Sequence, residues 1–290
     1  VSSTAESFMV GLIGSGVTPT LSAGMHETEA DHQGLRYIYR PIDLDVIDRP
    51  AEAVGELLRN ARELGFNAFN ITHPCKQLVL EHLDEISDDA RQLGAVNTVL
   101  IRDGRFFGFN TDFSGFSSGL AEGLPDVNLN SVVQLGAGGA GSAVAYALLH
   151  CGVSTLRISD VDHERAGERV KALRALFPDR TIEAITANDL PAALNTADGL
   201  VNATPIGMHM HPGLPIDANL LDARLWVADV IYRPIDTALI IAARAAGCRV
   251  LDGGHMAVGQ AVDAFELITG QTADAPRMRA HFLTMIAAGL

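Results

Sequence analysis

Two short polar stretches of this chain hold side chains suited to moving a proton. The first is Asn70-Ile71-Thr72-His73-Pro74-Cys75-Lys76-Gln77 and the second is Asn110-Thr111-Asp112. Each follows an apolar run that reads as a strand, so each lies at a strand end, where polar groups can meet a ligand. An amine such as Lys76 with a carboxylate such as Asp112 can give and take the proton of a reacting hydroxyl. Most lysines are solvated helix residues; the crowding of polar side chains around a proline turn argues for more here.

A second chemical signature is Val132-Val133-Gln134-Leu135-Gly136-Ala137-Gly138-Gly139-Ala140-Gly141, which runs into Ser142-Ala143-Val144-Ala145-Tyr146-Ala147-Leu148-Leu149. An apolar strand feeds a glycine turn, and the turn opens a strong helix former. Gly136 permits the tight turn, Gly138 lets backbone approach a diphosphate, and Gly141 lets the helix pack on its strand, with Ala137, Gly139 and Ala140 completing the loop. The helix N-terminus offers N–H groups and a positive dipole end. The next strand, Thr155-Leu156-Arg157-Ile158-Ser159, ends on Asp160. Strand, turn, helix, strand and acid make a dinucleotide unit in which Asp160 accepts from the adenosine ribose hydroxyls and repels a 2′-phosphate. Arg157 lies inside the strand and Arg165 on the following helix, so neither is expected to clamp a phosphate. NAD is the expected cofactor, with NADP disfavoured.

The elements that position these groups follow from periodicity. Met9–Ile13, Tyr37–Arg40 and Ala68–Thr72 read as strands, with a helix from near Ser22, another from about Ala51 to Leu64, and a third after His73-Pro74 running through Leu83. Ala95–Ile101 and Arg105–Phe109 flank Asp103-Gly104, a hairpin signal. After Asp160, Gly199–Ala203, Trp226–Val230 and Arg249–Asp252 continue the strands, and the chain is helical from about Met256. The alternation predicts an α/β protein of two domains. Residues 1–112 with about 256–290 would form a substrate-binding catalytic domain with a mostly parallel sheet. Residues 113–255 would form a doubly wound Rossmann domain, with C-terminal helices returning to the first domain.

Composition excludes several classes. At 290 residues the chain has room for two modest cores, and 48% hydrophobic with 19% charged residues is ordinary for a globular protein. No apolar run approaches the ~20 residues that span a bilayer, and Val1 to Phe8 lacks the basic start and apolar core of a signal peptide. A formal charge of -14 argues against nucleic acid. Three scattered cysteines, Cys75, Cys151 and Cys248, form neither a disulfide framework nor a zinc pattern and suit a reducing cytoplasm. His209 and His211 lack a third ligand, so no metal is expected. The expected partner is a small molecule, with no membrane, and the chain a monomer or homodimer.

Asn70-Ile71-Thr72-His73-Pro74-Cys75-Lys76, Gly94-Ala95-Val96-Asn97-Thr98, Gly108-Phe109-Asn110-Thr111-Asp112, Asn202-Ala203-Thr204-Pro205-Ile206-Gly207-Met208 and Asp252-Gly253-Gly254-His255-Met256 with Gln260-Ala261 run in order across nearly the whole chain. Together they resemble the shikimate dehydrogenase family. The resemblance implies reversible oxidation of the ring C3 hydroxyl of shikimate or quinate with a nicotinamide acceptor. It implies Lys76 and Asp112 as the pair that handles the hydroxyl proton. Asn97, Thr72 and Gln260 would hold the ring hydroxyls, and Thr20, Ser22 and Tyr232 the substrate carboxylate. Thr204, Val230, Gly253 and Met256 would line the cofactor. Hydroxyl donors suit an anion beside Lys76 because they add no charge.

Departures from the family pattern concern substrate shape. Thr20 stands where the family usually has serine, Ala23 where it has proline, Glu27 where it has asparagine, and Cys75 where a larger residue is usual. Cys75 is read as giving room and not as a nucleophile, because the reaction needs no thiolate. Quinate therefore fits at least as well as shikimate. The Asn-Arg-Thr run of the family's NADP-binding members is absent. Two other readings are a dehydrogenase of a related polyol acid such as aminoshikimate, and a non-catalytic regulator of the same fold.

Overall fold

The structure, a computed structural model, describes residues 7–289; residues 1–6, most of the stretch read for a signal peptide, lie outside the described residues. The chain divides into two compact units. One takes in the described residues up to Thr111 together with those from Val258 onward, and the other is Asp112–Ala257.

The first unit is built from β1 (Ser7–Gly14), α1 (Leu21–His32), β2 (Arg36–Asp43), α2 (Val54–Glu63), β3 (Ala68–Ile71), α3 (Cys75–Leu78), β4 (Glu85–Ile86), α4 (Asp88–Leu93), β5 (Thr98–Arg102) and β6 (Arg105–Phe109). Its sheet has the order β2-β1-β3-β5-β6-β4. β1 runs parallel to β2 and β3, and β4 parallel to β6, whereas β5 is antiparallel to both β3 and β6. The sheet is mostly parallel as expected, with β5 alone reversed, because strands joined by a tight hairpin must return antiparallel. Asp103 and Gly104 in that hairpin have φ of 51° and 74°, the left-handed conformation that short hairpin loops demand.

Successive residues of β3 point to opposite faces, and each face has its own core. Ala68 packs with Val10, Leu12 and Phe265, while Phe69 and Ile71 pack with Ile13, Leu58 and Val99. The helix expected through Leu83 ends at Leu78, and a 3-10 turn covers Val79–His82. The chain has to leave the helix there to reach β6, where the Asp84 N–H donates to the Phe106 carbonyl at 2.9 Å.

In the second unit follow α5 (Thr111–Gly123), whose first residue closes the first unit, β7 (Ser131–Leu135), α6 (Gly139–His150), β8 (Thr155–Ser159), α7 (His163–Leu176), β9 (Thr181–Ile185), α8 (Leu190–Asn195), β10 (Gly199–Asn202), β11 (Trp226–Asp229), α9 (Ala238–Ala245) and β12 (Arg249–Leu251). Then α10 (Gly253–Thr269) carries the chain back to the first unit, which α11 (Ala275–Ala287) completes. The second sheet is wholly parallel with the order β9-β8-β7-β10-β11-β12. This is the doubly wound order, with its switch point between β7 and β10. β9 has no counterpart among the expected strands; it is an edge strand of only partial burial, so its hydrophobic period is weak. Among the described residues no helix is long and apolar enough to cross a membrane.

Candidate active site

Lys76 stands in the short helix α3, half-buried just beyond the C-terminal end of β3. The Lys76 carbonyl accepts from the Val96 N–H at 2.9 Å, and the Asn97 carbonyl accepts from the Ile71 N–H at 2.8 Å. These bonds seat the segment before β5 against the strand end that carries Lys76. Asn97 is itself buried, and its Oδ1 accepts from the Thr111 N–H at 2.7 Å while its Nδ2 donates to Thr111 Oγ1 at 3.0 Å. Asn97 therefore grips the residue that precedes Asp112 in the chain, and one amide hydrogen remains for a ligand. Asp112, buried in the first turn of α5, opens the second unit. Burial raises the Cys75 thiol to about 11, which makes a thiolate scarce at neutral pH.

Within the first unit, Asn70 bridges Tyr39 and Thr98: its Oδ1 accepts from the Tyr39 hydroxyl at 2.8 Å and its Nδ2 donates to Thr98 Oγ1 at 3.1 Å. Thr72 is tied to β1 by its N–H, which donates to the Ile13 carbonyl at 2.9 Å. Thr20 caps α1, its hydroxyl accepting from the Ser22 N–H at 3.2 Å, so the Thr20 hydroxyl hydrogen is left to donate. The loop leading to Thr20 is held by Asp43, which sequence reasoning did not single out. Its buried carboxylate accepts from the N–H groups of Gly16, Thr18 and Asp45 at 3.0, 3.0 and 3.2 Å. Burial opposes the charge, but these donors outweigh it and hold Asp43 below the usual carboxylate range. Gln260 lies half-buried on the part of α10 that belongs to the first unit.

In the second unit the glycine turn meets the demands of a diphosphate. A Cβ on Gly141 would fall on the Gly136 carbonyl, and Gly136 has a φ of 95°, so glycine is required at both. Cβ atoms on Gly138 or Gly139 would meet nothing within 4 Å, and no side chain caps α6. The first turn of α6 thus faces open space with uncapped donors, which fits an anionic dinucleotide. Asp160, at the end of β8, is 4% exposed at its side chain. One oxygen accepts from the Ala137 N–H at 2.6 Å and the other from the Asp162 N–H at 2.9 Å. From the first turn of α7, Arg165 reaches back to Asp160, Nη2 to Oδ1 at 2.6 Å and Nε to Oδ2 at 3.3 Å. Burial opposes the Asp160 charge, but Arg165 and the two backbone donors hold the carboxyl below its ordinary range. Arg157 is occupied elsewhere, donating to Glu183 at 3.2 Å and to Ser131 at 3.1 Å.

Across the switch point, Asn202 at the end of β10 and Asp229 at the end of β11 share a bond of 3.0 Å. Asn202 Oδ1 accepts from the Thr204 N–H and hydroxyl at 3.1 and 2.7 Å, and Asp229 Oδ1 accepts from the Ile231 N–H at 3.0 Å. The pair fixes the loops that carry Thr204, Val230 and Tyr232. Burial pushes the Asp229 carboxyl up to about 6, even though the bonds from Ile231, Thr237 and Asn202 work against the rise. Tyr232 is exposed and Met256 buried; a Cβ on Gly253 would strike the Val230 and Ile231 carbonyls. The signal for Asn70, Asn202 and Asp229 was available in the sequence: polar residues inside otherwise apolar strands, which must be bonded when buried.

Residues 12–99 match the family model described as the shikimate dehydrogenase substrate binding domain. The chain is 64% identical over 283 residues to a shikimate dehydrogenase (NADP(+)) of Pseudarthrobacter chlorophenolicus, covering 98% of this chain and 97% of the relative. It is 49% identical over 281 residues to a quinate/shikimate dehydrogenase (NAD(+)) of Corynebacterium efficiens, covering 97% and 99%. Among solved structures it is similar to the quinate dehydrogenase from Corynebacterium glutamicum in complex with NAD, at a TM-score of 0.92, 47% identity and coverage of 96% and 99%. With relatives this similar over nearly its whole length, the chain belongs to the shikimate dehydrogenase family.

Proposed function

We propose that this protein oxidises the C3 hydroxyl of shikimate and quinate reversibly to the 3-dehydro acid, with NAD preferred over NADP. The observation that carries the reading is the hydrogen bonding that seats Lys76, Asn97 and the Thr111-Asp112 step, polar residues held at strand ends of a chain so similar to named shikimate and quinate/shikimate dehydrogenases. Hydride exchange with carbon is the chemistry that a bound nicotinamide supplies. The chain's own part is to bind, orient and move a proton. Lys76 Nζ takes the hydroxyl proton as the carbonyl forms and returns it in reduction, while the Asp112 carboxylate accepts a hydrogen bond from the same group. Thr72, Asn97 and Gln260 orient the ring hydroxyls. Thr20, Ser22 and Tyr232 donate to the carboxylate.

The NAD preference rests on Asp160 and Asp162, two carboxylates where a 2′-phosphate would have to lie, with the nearby cation already paired. Arg165 supports a second reading: turned from Asp160 toward a 2′-phosphate it would favour NADP, the cofactor in the name of the Pseudarthrobacter relative. Absorbance of reduced dinucleotide, followed with shikimate and with quinate against NAD and NADP, separates these. Both acids are expected to react, with the higher kcat/KM for NAD. A higher value with NADP overturns the cofactor assignment, and inertness toward both acids moves the substrate to another polyol acid.

A further inference from the structure

β7 has one residue out of character. Val132, Val133 and Leu135 are apolar and buried, and between them Gln134 is fully buried as well. A buried amide has to find partners. Gln134 Nε2 finds two, donating to the Gly136 carbonyl at 2.8 Å and to the Gly141 carbonyl at 2.7 Å. Oε1 finds none. The two carbonyls belong to the first and last glycines of the turn, so a single amide ties the entry of the turn to the first turn of α6. Between those anchors Gly138 and Gly139 face open space.

An unsatisfied buried acceptor is a burden on the fold. A methionine of similar length would fill the same space with no orphan side-chain atom, at the loss of the donor to the Gly136 and Gly141 carbonyls. The presence of Gln134 therefore calls for a gain elsewhere, and the groups its donors touch among the described residues belong to the glycine turn. We propose that Gln134 is a positioning residue for the dinucleotide, clamping the glycine turn so that the first N–H groups of α6 are aimed before the diphosphate arrives. The inference rests on the reading that this turn binds a pyridine dinucleotide. It assigns no direct contact to Gln134; the effect passes through the backbone of Gly136 and Gly141, as preorganisation.

The test uses the full chain and its Gln134→Met and Gln134→Glu variants. Dissociation constants for NADH and NADPH are read by fluorescence, alongside the melting temperature, kcat, and KM for the acid substrate. Gln134→Met is expected to weaken both dinucleotides by on the order of tenfold, because the diphosphate is common to them. Its Tm should stay within a few degrees of the wild type, since an orphan acceptor is removed while two carbonyls lose their donor, and kcat at saturating dinucleotide and the KM for the acid should stay within about twofold. Gln134→Glu cannot donate once ionised, so its dinucleotide affinity should drop further as pH rises, a trend absent from the wild type and from Gln134→Met. Unchanged affinity in Gln134→Met overturns the proposal. So does a Tm loss that accounts for the weaker binding, or a Gln134→Met chain that does not fold, since either makes Gln134 a structural residue. A wild-type chain that binds neither dinucleotide fails earlier, on the reading of the turn itself, and takes the inference with it.

Discussion

Replacing Asp160 with serine is the sharpest perturbation of the cofactor assignment. The carboxylate is almost wholly buried and ionised, held by Ala137, Asp162 and Arg165. Hydrogen bonds from ribose hydroxyls to such a charge contribute about 1.5–3 kcal/mol, so their loss should lower kcat/KM for NAD by roughly 10- to 150-fold. The gain for NADP comes from removing a like charge. Two charges about 5 Å apart at an effective dielectric of about 20 repel by roughly 3 kcal/mol. Arg165 already offsets part of this, leaving roughly 1–2 kcal/mol, or about 5- to 30-fold. The NAD:NADP ratio of kcat/KM should therefore swing by roughly 50- to 5,000-fold. The assay is initial-rate formation of reduced dinucleotide at fixed saturating acid, run beside Arg165→Ala. If Asp160 selects NAD, Arg165→Ala leaves NAD turnover within about threefold, because the two backbone donors still hold the carboxylate. A wild type that prefers NADP, and that loses more than about tenfold of that activity in Arg165→Ala, refutes the reasoning and makes Arg165 the selecting group.

Three further outcomes follow from the same geometry. Lys76→Ala should lower kcat by on the order of 10²–10⁴, the scale of a lost general acid–base group, with a smaller change in KM for the acid; near-normal turnover removes Lys76 from the mechanism. Thr20→Ser should change the shikimate-to-quinate ratio of kcat/KM by no more than roughly 1–3 kcal/mol of discrimination, since the two acids differ at the carbon bearing the carboxylate; an equal change for both acids would show that Thr20 binds without discriminating. Glu29, buried on α1, accepts from Arg277 Nη2 and Nε of α11 at 2.7 and 2.8 Å. Burial works against its charge, but Arg277, the Asp274 N–H and Gln33 hold its carboxyl below the ordinary range. A carboxyl lowered in the folded state stabilises above its unfolded pKa, so this contribution is present above about pH 4.3 and lost as pH falls through the folded value. Glu29→Gln should cost about 1–3 kcal/mol at neutral pH and flatten the acid side of the Tm profile; a variant profile that parallels the wild type would remove Glu29 from the acid sensitivity.

The local elements were legible because their signals are local. The strand, glycine turn, helix and acid from Val132 to Asp160 can be read residue by residue, since each requirement there falls on backbone torsion, apolar period or charge within a few positions. The Asp103-Gly104 hairpin was legible for the same reason, being demanded by two positive φ values. β4 and β9 were not, because a strand of two residues and a half-exposed edge strand owe their existence to the strand they pair with, β6 in one case and β8 in the other. The early end of α3 likewise answers to Phe106, distant in sequence.

Residue type by itself named Lys76, Asp112 and Asp160 as groups with chemistry to offer, because an amine or a carboxylate keeps its valence wherever the chain goes. What each is bonded to was decided only by tertiary structure. Arg165, five positions beyond Asp160, reads as a surface helix residue until α7 docks and its guanidinium meets that carboxylate. Asp43 holds Gly16 and Thr18, and Asn97 holds Thr111, across separations that no periodicity encodes. Gln134 is an unremarkable polar residue in sequence and becomes a clamp only because β7 is buried and the turn folds back over it. Sequence states which groups can bond, but burial and long-range packing remove water as the competing partner and so dictate which bonds are made.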